Sequence, residues 1–321
     1  MKIVMVGAGA VGGYFGARLA SAGVDVSFLL REESARIVRA KGLRVRSPQG
    51  EVHLPHPDVI VAGSDAPSPD ALFFACKVEH VRAAAEGARP LLGPSSVAIP
   101  LQNGVDAPAI LRDVLPERSV LGGLSRIFAE RVATGDIRHF GLHPSITCGE
   151  LEGGHSERVA RVVHALADVP GMSIDASDDI WTAMWMKLLM VCSMGSVGAV
   201  ARAPLGVVLG VPETRGLMLA AGEEMAAVGR AHGAQIPDGF VAAQVARYEG
   251  LRPETTASMH RDLERGETSE LNEQLGAVCR YGRELKIATP VLDALYGALL
   301  PGELRARGRL AYESVGPRSD S

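Results

Sequence analysis

The first twelve residues constrain the fold most strongly. An apolar run, Ile3-Val4-Met5-Val6, leads directly into Gly7-Ala8-Gly9-Ala10-Val11-Gly12. Such a run is typical of a parallel strand that is covered on both faces. Glycine at the first two positions permits a tight turn and a close approach to a pyrophosphate, and the third lets the next helix pack near the strand. We therefore predict a helix over 12–22 whose free N–H groups bind phosphate.

The glycine pattern lies in the context that a dinucleotide fingerprint requires. It follows a strand, opens a helix that Gly23 is placed to end, and leads into a second apolar stretch over 24–30. We expect the dinucleotide to be bound by six residues of the turn: Gly7, Ala8, Gly9, Ala10, Val11 and Gly12.

Arg31 ends the second apolar stretch, where a carboxylate would accept hydrogen bonds from the adenosine ribose and favour NAD. An arginine has a permanent charge and a fork of donors that matches a 2′-phosphate. The pattern predicts NADPH as the cofactor. Two other interpretations stay open, namely a solvated arginine that ends a strand, or a ribose contact from Glu32 or Glu33.

Length and charge restrict the class of protein. A chain of 321 residues exceeds the usual size of one hydrophobic core, so two domains are expected. The formal net charge of −4 gives no sign of nucleic-acid binding. We expect no apolar run of membrane-spanning length, and the N-terminus is used for a strand rather than a signal peptide. These features predict a cytoplasmic protein without a membrane partner, and a homodimer stays open.

Cysteine and histidine spacing gives no metal site. Cys76, Cys148, Cys192 and Cys279 are far apart and lack CxxC spacing, which favours reduced, structural cysteines. His53-x-x-His56 lies among prolines without a second pair of ligands nearby. We therefore predict no bound metal.

Strands alternate with helices in the first half of the chain. This rhythm predicts a Rossmann-type, doubly wound parallel sheet over 1–177, with ligands at the carboxyl ends of its strands. Beyond the second apolar stretch, we expect strands over 52–54, 59–62, 71–76 and 96–101. A helix is expected over 79–89. Strands over 119–129 and 136–148 are expected to complete the sheet, partly antiparallel.

Two polar residues follow predicted strands of this sheet. Lys77 comes after the strand at 71–76, where its ammonium could approach the cofactor or the substrate. Asn103 comes after the strand at 96–101, and its amide is both donor and acceptor. Taken alone, Asn103-Gly104 is equally suited to a tight turn.

A helical domain is predicted over 178–321. Asp178 and Asp179 are suitable N-caps for a helix over 180–197, and further helices are expected over 211–232, 270–285 and 291–299. Thr289-Pro290 is a good start for the last of these. Residues 315–321 are expected to form a disordered tail.

Lys187 is the one charged residue in the apolar stretch over 180–197. The stretch is apolar nearly all round, which is typical of a buried helix. Burial of an ammonium without a partner is costly, so Lys187 must reach solvent, pair with a carboxylate or face a polar cleft. In a cleft it would be a capable proton donor. The residues alone leave a structural and a catalytic lysine equally open.

Together these motifs resemble the ketopantoate reductase (2-dehydropantoate 2-reductase) family over most of the chain. Besides the fingerprint with Arg31 and Lys77, the matching patterns are Leu101-Gln102-Asn103-Gly104-Val105, Trp185-x-Lys187-Leu188 and Ser258-Met259-x-x-Asp262-x-x-x-Gly266-x-x-x-Glu270-Leu271. The resemblance implies an N-terminal NADPH domain and a C-terminal all-helical domain, with the active site in the cleft between them.

The resemblance also implies roles for single residues in the reduction of a 2-oxo acid. Lys187 would protonate the ketone oxygen, and Glu270 would bind the hydroxyl of the substrate. Ser258 would bind near its carboxylate, and Asn103 and Lys77 would bracket the nicotinamide. A plainer interpretation is that Ser258 and Glu270 lie on surface helices, with Thr268 as an N-cap and Glu270 in the first turn.

The chain departs from the family pattern at two positions on the C-terminal side of the lysine. Relatives typically have Asn four residues after it, and often a second Asn four residues further on, whereas this chain has Val191 and Gly195. Both positions lie on the face of Lys187. Loss of an amide would leave polar groups of ketopantoate unpaired. A larger or less polar 2-oxo acid, or a related ketone, would fit beside Val191, Met194 and Gly195, and ketopantoate itself stays open as the substrate.

Two other functions stay open. A 3-hydroxyacid or opine-type dehydrogenase would share this layout, but its expected His-Glu pair or alternative lysine motif is not evident. A non-catalytic NADPH sensor would keep the fingerprint and Arg31 without needing both Lys187 and Glu270, and their joint presence favours an enzyme.

Overall fold

A computed structural model describes residues 1–64 and 66–312 and divides the chain into two compact units, Met1–Lys187 and Leu188–Ser321. The disordered tail expected over 315–321 lies outside the described residues. The division falls inside one helix, ten residues after the boundary that the sequence suggests. The predicted class is confirmed: a Rossmann-type parallel sheet is followed by a helical domain.

The first unit contains the strands of the described chain. They are β1 (Lys2–Val6), β2 (Asp25–Leu30), β3 (Leu43–Arg46), β4 (Val52–Leu54), β5 (Asp58–Val61), β6 (Ala71–Phe74), β7 (Val97–Pro100), β8 (Gly122–Arg126), β9 (Ala129–Ala133), β10 (Asp136–His139), β11 (Ser145–Gly149) and β12 (Ser173–Ala176).

Helices surround these strands and form the second unit. They are α1 (Ala10–Ser21), α2 (Glu32–Lys41), α3 (Val81–Ala88), α4 (Ala107–Val114), α5 (Glu157–Leu166), α6 (Ile180–Ala201), α7 (Leu205–Gly210), α8 (Pro212–Ala231), α9 (Phe240–Tyr248), α10 (Ser258–Glu264), α11 (Leu275–Leu285) and α12 (Pro290–Ala306).

The main sheet is parallel, in the order β5-β2-β1-β6-β7. Successive side chains of β1 point to opposite faces, as the pleat requires. Ile3 and Met5 join one buried cluster, whereas Val4 and Val6 join another. Chain order reverses between β1 and β6, so this is the switch point where doubly wound sheets bind ligands.

The later strands form two separate sheets instead of completing the main one. One has the order β4-β3-β10-β9 and the other β12-β11-β8. The expectation of one enlarged sheet was therefore wrong. Residues 136–148 are also two strands, separated by a turn that includes Gly141 at φ +87°. Each sheet mixes parallel and antiparallel pairs.

Helix α6 begins as predicted. Asp179 accepts a hydrogen bond from the Thr182 backbone N–H at 2.9 Å, as an N-cap does. The helix is 22 residues long and apolar enough to span a membrane, so the expectation of no such run was wrong in length and composition. Because 67% of its apolar window is buried within the protein, it has the character of a core helix.

The second unit is built from helices. Helix α8 packs against α7, α9, α11 and α12, and α11 also packs against α12. Two helix bounds differ most from the prediction. Helix α11 begins at Leu275 rather than at residue 270, and α12 continues through Pro301 to Ala306. A proline normally ends a helix, so the continuation needs contacts beyond Pro301.

Candidate active site

The glycine turn has the close contacts that its sequence predicts. Gly7 has φ +99°, a conformation that side chains rarely adopt. A Cβ on Gly12 would overlap the Gly7 carbonyl oxygen and lie 2.9 Å from the Ala75 Cβ. Gly9 has nothing within 4 Å of its Cβ position. Glycine at the first and third positions is therefore needed for the turn, and the second faces open space.

The N-terminus of α1 is free to bind an anion. Its N-cap is Gly9, which provides no side-chain cap, and its first turn has no acidic residue. The first helical bond runs from Gly13 N to Gly9 O at 2.7 Å. The N–H groups of Ala10, Val11 and Gly12 precede this bond. The turn and the helix end fit the pyrophosphate of a dinucleotide.

Arg31 lies at the same edge of the sheet as the glycine turn. Val6 of β1 pairs with Leu29 of β2, and Gly7 N donates to Leu29 O at 3.1 Å. Arg31 follows β2 directly, is exposed, and is the N-cap of α2. Glu32 and Glu33 lie in the first turn of α2, where their charge suits the helix dipole.

Lys77 and Asn103 follow the neighbouring strands β6 and β7, and both are half-buried. The Cβ position of Gly7 is 3.4 Å from Cys76 N, so the segment before Lys77 contacts the glycine turn. Gly104 has φ +105°, so Asn103 also lies in the turn that the plainer interpretation expects. The first unit thus brings the predicted cofactor residues to one edge of the sheet.

Gln102 has a role that the sequence interpretation missed. Its Nε2 donates to Phe74 O at 2.8 Å and to Cys76 O at 2.9 Å, which ties the ends of β6 and β7 together. Its Oε1 is buried and has no hydrogen-bond partner among the described residues. An amide directly after a buried apolar strand was the available signal. Gln102 fixes the backbone on which Lys77 and Asn103 stand.

Lys187 is only 7% exposed, although no other residue of α6 is charged. Val191, one turn later, is half-buried. Gly195 does not open the space that the sequence suggests, because its Cβ position is 3.1 Å from Met259 Cε and 3.2 Å from Ala257 Cβ. The Gly195 face of α6 is thus closed by the start of α10, and Met194 is also buried.

Ser258 and Glu270 lie at the two ends of the segment that includes α10. Ser258 is the first residue of α10 and is exposed. Glu270 precedes α11, whose N-cap is Gln274. The interpretation of Thr268 as the N-cap, with Glu270 in the first turn of the helix, was therefore wrong. Gln274 Nε2 donates to Glu270 Oε2 at 3.3 Å, and Gln274 N donates to Glu270 O at 2.9 Å. Glu270 is therefore held in an irregular segment.

The cysteines are suited to structural roles. Three are buried, and none of the four forms a disulfide. Burial raises the pKa of the Cys148 and Cys279 thiols to about 12, and it also raises the pKa of the Cys192 thiol. These thiols therefore stay protonated and unreactive at neutral pH. Within residues 1–64 and 66–312, no group of three or more His, Cys, Asp or Glu side chains could hold a metal ion.

Two curated relatives match nearly the whole chain. An uncharacterized oxidoreductase, YkpB, of Bacillus subtilis is 29% identical over 93% of this chain and 98% of its own length. A 2-dehydropantoate 2-reductase of a Nostoc species is 28% identical over 98% of this chain and 99% of its own.

Solved structures show the same fold. A ketopantoate reductase of the PanE/ApbA family from Ralstonia eutropha has a TM-score of 0.85 at 28% identity, and the match covers 96% of this chain and 100% of that one. A D-mandelate dehydrogenase in a ternary structure with NADH and anilino(oxo)acetate has a TM-score of 0.86 at 20% identity, covering 96% and 99%. The latter likeness is one of fold.

Family models match both parts of the sequence. Residues 3–153 match the model described as ketopantoate reductase PanE/ApbA, and residues 179–303 match the model of its C-terminal part. These ranges include the glycine turn, Arg31, Lys77 and Asn103 in the first part, and Lys187, Ser258 and Glu270 in the second. The chain is therefore an oxidoreductase that belongs to the ketopantoate reductase family.

Proposed function

We propose that the protein reduces a 2-oxo acid to the 2-hydroxy acid with NADPH, the substrate being 2-dehydropantoate or a bulkier, less polar relative. The observation that carries this proposal is Lys187, the sole charge of α6, at 7% exposure. An ammonium buried in an apolar helix needs a polar partner or a polar cleft, and in a cleft it would be a capable proton donor. The position also matches the lysine of the family pattern.

The residues at the edge of the main sheet fit the cofactor. The glycine turn and the N-terminus of α1 would hold the pyrophosphate, and exposed Arg31 would bind the 2′-phosphate. Lys77 and Asn103 would bracket the nicotinamide end. When bound, NADPH supplies the hydride for the ketone carbon. Gln102 keeps the last two residues in place through the ends of β6 and β7.

The remaining chemistry belongs to side chains of the protein. The Lys187 ammonium would donate a proton to the ketone oxygen as negative charge develops there. The Glu270 carboxylate would accept a hydrogen bond from a substrate hydroxyl, and Ser258 would donate to the substrate carboxylate. Asn103 can donate and accept at once, so it would orient substrate and cofactor together.

Val191 is the reason to include less polar substrates. A valine pairs with no hydroxyl or carboxylate, so it favours an apolar group at that point of the substrate. Gly195 adds no room, since Met259 and Ala257 lie against it. An aryl 2-oxo acid is a useful comparison, because the D-mandelate dehydrogenase that shares the fold binds anilino(oxo)acetate.

The test is a panel of 2-oxo acids, including ketopantoate and phenylglyoxylate, followed by NADPH absorbance with wild type and Lys187→Met. Methionine keeps an unbranched stem in the buried helix and removes the proton donor. We expect wild type to turn over at least one acid, and Lys187→Met to lose about 10²- to 10⁴-fold in kcat. NADPH affinity, measured by fluorescence titration, should stay nearly unchanged. Full activity of the variant would rule out Lys187 as the acid.

The cytoplasmic location remains a prediction, and a homodimer stays open. If 2-dehydropantoate is the substrate, the product is pantoate, and the protein would act in pantothenate biosynthesis. Size-exclusion chromatography with light scattering measures the assembly directly.

A further inference from the structure

Ser269, the residue directly before Glu270, is held by the C-terminal helix. It is 1% exposed, and its backbone N and its Oγ both donate to Glu303 Oε2, at 3.0 and 2.6 Å. Ser269 Oγ also accepts from Leu271 N at 3.1 Å. One carboxylate of α12 thus holds the backbone before Glu270 directly and the backbone after it through the serine hydroxyl.

Arg307 completes this arrangement. Its Nε donates to Glu303 Oε1 at 2.6 Å, and its Nη2 donates to Ser269 O at 3.0 Å. Glu303 is fully buried, and the Arg307 side chain is 13% exposed. Two side chains four residues apart, one in the last turn of α12 and one at its C-cap, therefore bind the N–H, the carbonyl and the hydroxyl of one serine. We call this set, Ser269 with Glu303 and Arg307, the serine clamp.

The serine clamp buries two charged side chains, which apolar packing between the same segments would not require. A buried ion pair is often no more stabilising than apolar packing, but its charge-assisted bonds fix geometry. Helix α12 must also continue through Pro301, where one helical bond is lost, before it reaches Glu303. What the clamp provides is a fixed backbone at residue 270, whose side chain Gln274 holds separately.

We propose that Glu303 and Arg307 are positioning residues, which fix the Ser269–Leu271 backbone and so orient the Glu270 carboxylate for the substrate. This inference rests on the role of Glu270 in the proposed function. Neither residue is assigned a contact with substrate. They act through the orientation of the Glu270 carboxylate. A small misplacement of a group that binds the substrate reduces the rate strongly.

The experiment compares Glu303→Gln with Glu224→Gln as a matched control. The Glu224 carboxylate also binds backbone N–H groups of α12, at Val291 and Leu292, both at 3.0 Å, but at the opposite end of the helix. Both changes keep the side-chain size and remove a charge, so both should lower Tm. Only Glu303→Gln should speed amide exchange over 268–271 and lower kcat by at least about tenfold with a smaller change in KM.

A double variant separates positioning from general destabilisation. In a Glu270→Ala background, Glu303→Gln should cause no further loss of kcat, because its effect passes through the carboxylate already removed. Effects that multiply would overturn the inference, as would equal kcat losses in Glu303→Gln and Glu224→Gln. If Glu303→Gln does not fold, Ser269→Ala gives the same comparison, since it removes only the hydroxyl.

Failure of the proposed function is a distinct result. A wild type that oxidises NADPH with none of the 2-oxo acids contradicts that function. Amide exchange needs no substrate, and it then decides alone: faster exchange over 268–271 in Glu303→Gln supports the clamp, and unchanged exchange contradicts it.

Discussion

Arg31 is the residue on which the proposed preference for NADPH depends. It is exposed, follows β2 and lies at the edge where the glycine turn begins. The Arg31 guanidinium can form a charge-assisted hydrogen bond with the 2′-phosphate of NADPH. NADH lacks this phosphate and cannot form that bond. Its neighbours Glu32 and Glu33 carry the opposite charge, so without Arg31 this edge would repel a phosphate.

We therefore predict that Arg31→Ala lowers the preference for NADPH over NADH by about tenfold or more, as loss of a bond to a charged group implies. The measurement is the ratio of kcat/KM for the two cofactors with one 2-oxo acid. Lys41→Ala, at the other end of α2 and also exposed, is the control and should leave the ratio unchanged. An unaltered ratio in Arg31→Ala would remove Arg31 from the cofactor site.

Single residues of the site differ in how far sequence reveals them. Gly7 and Gly12 were evident because their backbone conformation and close contacts exclude other residues. Gln102 and Glu303 were missed because their importance lies in backbone groups far along the chain, at Phe74 and Ser269. A polar residue in an apolar stretch of sequence indicates that its side chain binds a buried polar group, but the sequence does not show which group that is.

At the scale of elements, the packing of α6 against α10 determines the effect of a substitution in α6 on the C-terminal side of Lys187. The two helices approach closely at Gly195 and Gly198, where a Cβ would meet Met259 in one case and His260 Nδ1, at 2.8 Å, in the other. Val191, one turn before Gly195, is half-buried. The two positions that depart from the family pattern are therefore not equivalent.

We predict opposite outcomes for an asparagine at the two positions. Val191→Asn should raise kcat/KM for ketopantoate relative to phenylglyoxylate by about fivefold or more, because it supplies a polar partner. Gly195→Asn should lower stability by about 1–3 kcal/mol through overpacking against α10. Steady-state kinetics and thermal denaturation measure the two effects. A stable Gly195→Asn variant with improved ketopantoate activity would contradict this assignment.

Elements with local signals were predicted well, and elements defined by distant partners were not. β1, α1 and β2 follow from an apolar run, a glycine turn and a second apolar run. The pairing of β3 with β10 joins Arg44 to Asp136, and no local period encodes a partner so far away. The segment before α11 also has a distant partner, because Ser269 is bound by Glu303 of α12.

At the scale of the whole molecule, each unit has, among its described residues, one buried histidine whose pKa is lowered. Desolvation is the main cause for His139 and for His260. The nearby Arg18 charge also lowers the pKa of His139, whose Nε2 contacts Leu142 O at 3.0 Å and whose Nδ1 contacts Ser47 Oγ at 2.8 Å. A carbonyl only accepts, so Nε2 carries the proton and Nδ1 accepts from Ser47. Further protonation would make Nδ1 a donor, so the Ser47 hydroxyl would have to accept instead.

Acid should therefore destabilise both units. Because the folded pKa lies below that of the unfolded chain, the unfolded chain binds more protons as pH falls through about 6.5, and stability declines from there down to the folded pKa. Glu150 acts in the same direction at lower pH, since its hydrogen bond with Arg158 lowers its pKa. The stability that Glu150 contributes is lost as that carboxylate becomes protonated.

Calorimetry at about pH 7.5 and about pH 5.5 tests this expectation. Wild type should have the lower Tm at the lower pH. His139→Gln should reduce the pH dependence of the transition of the first unit, and His260→Gln that of the second, even where each variant is less stable overall. Exposed His56→Gln serves as the control and should behave as wild type. A Tm difference that survives in the double variant His139→Gln/His260→Gln would assign the acid sensitivity to other groups, since this variant has lost both buried imidazoles.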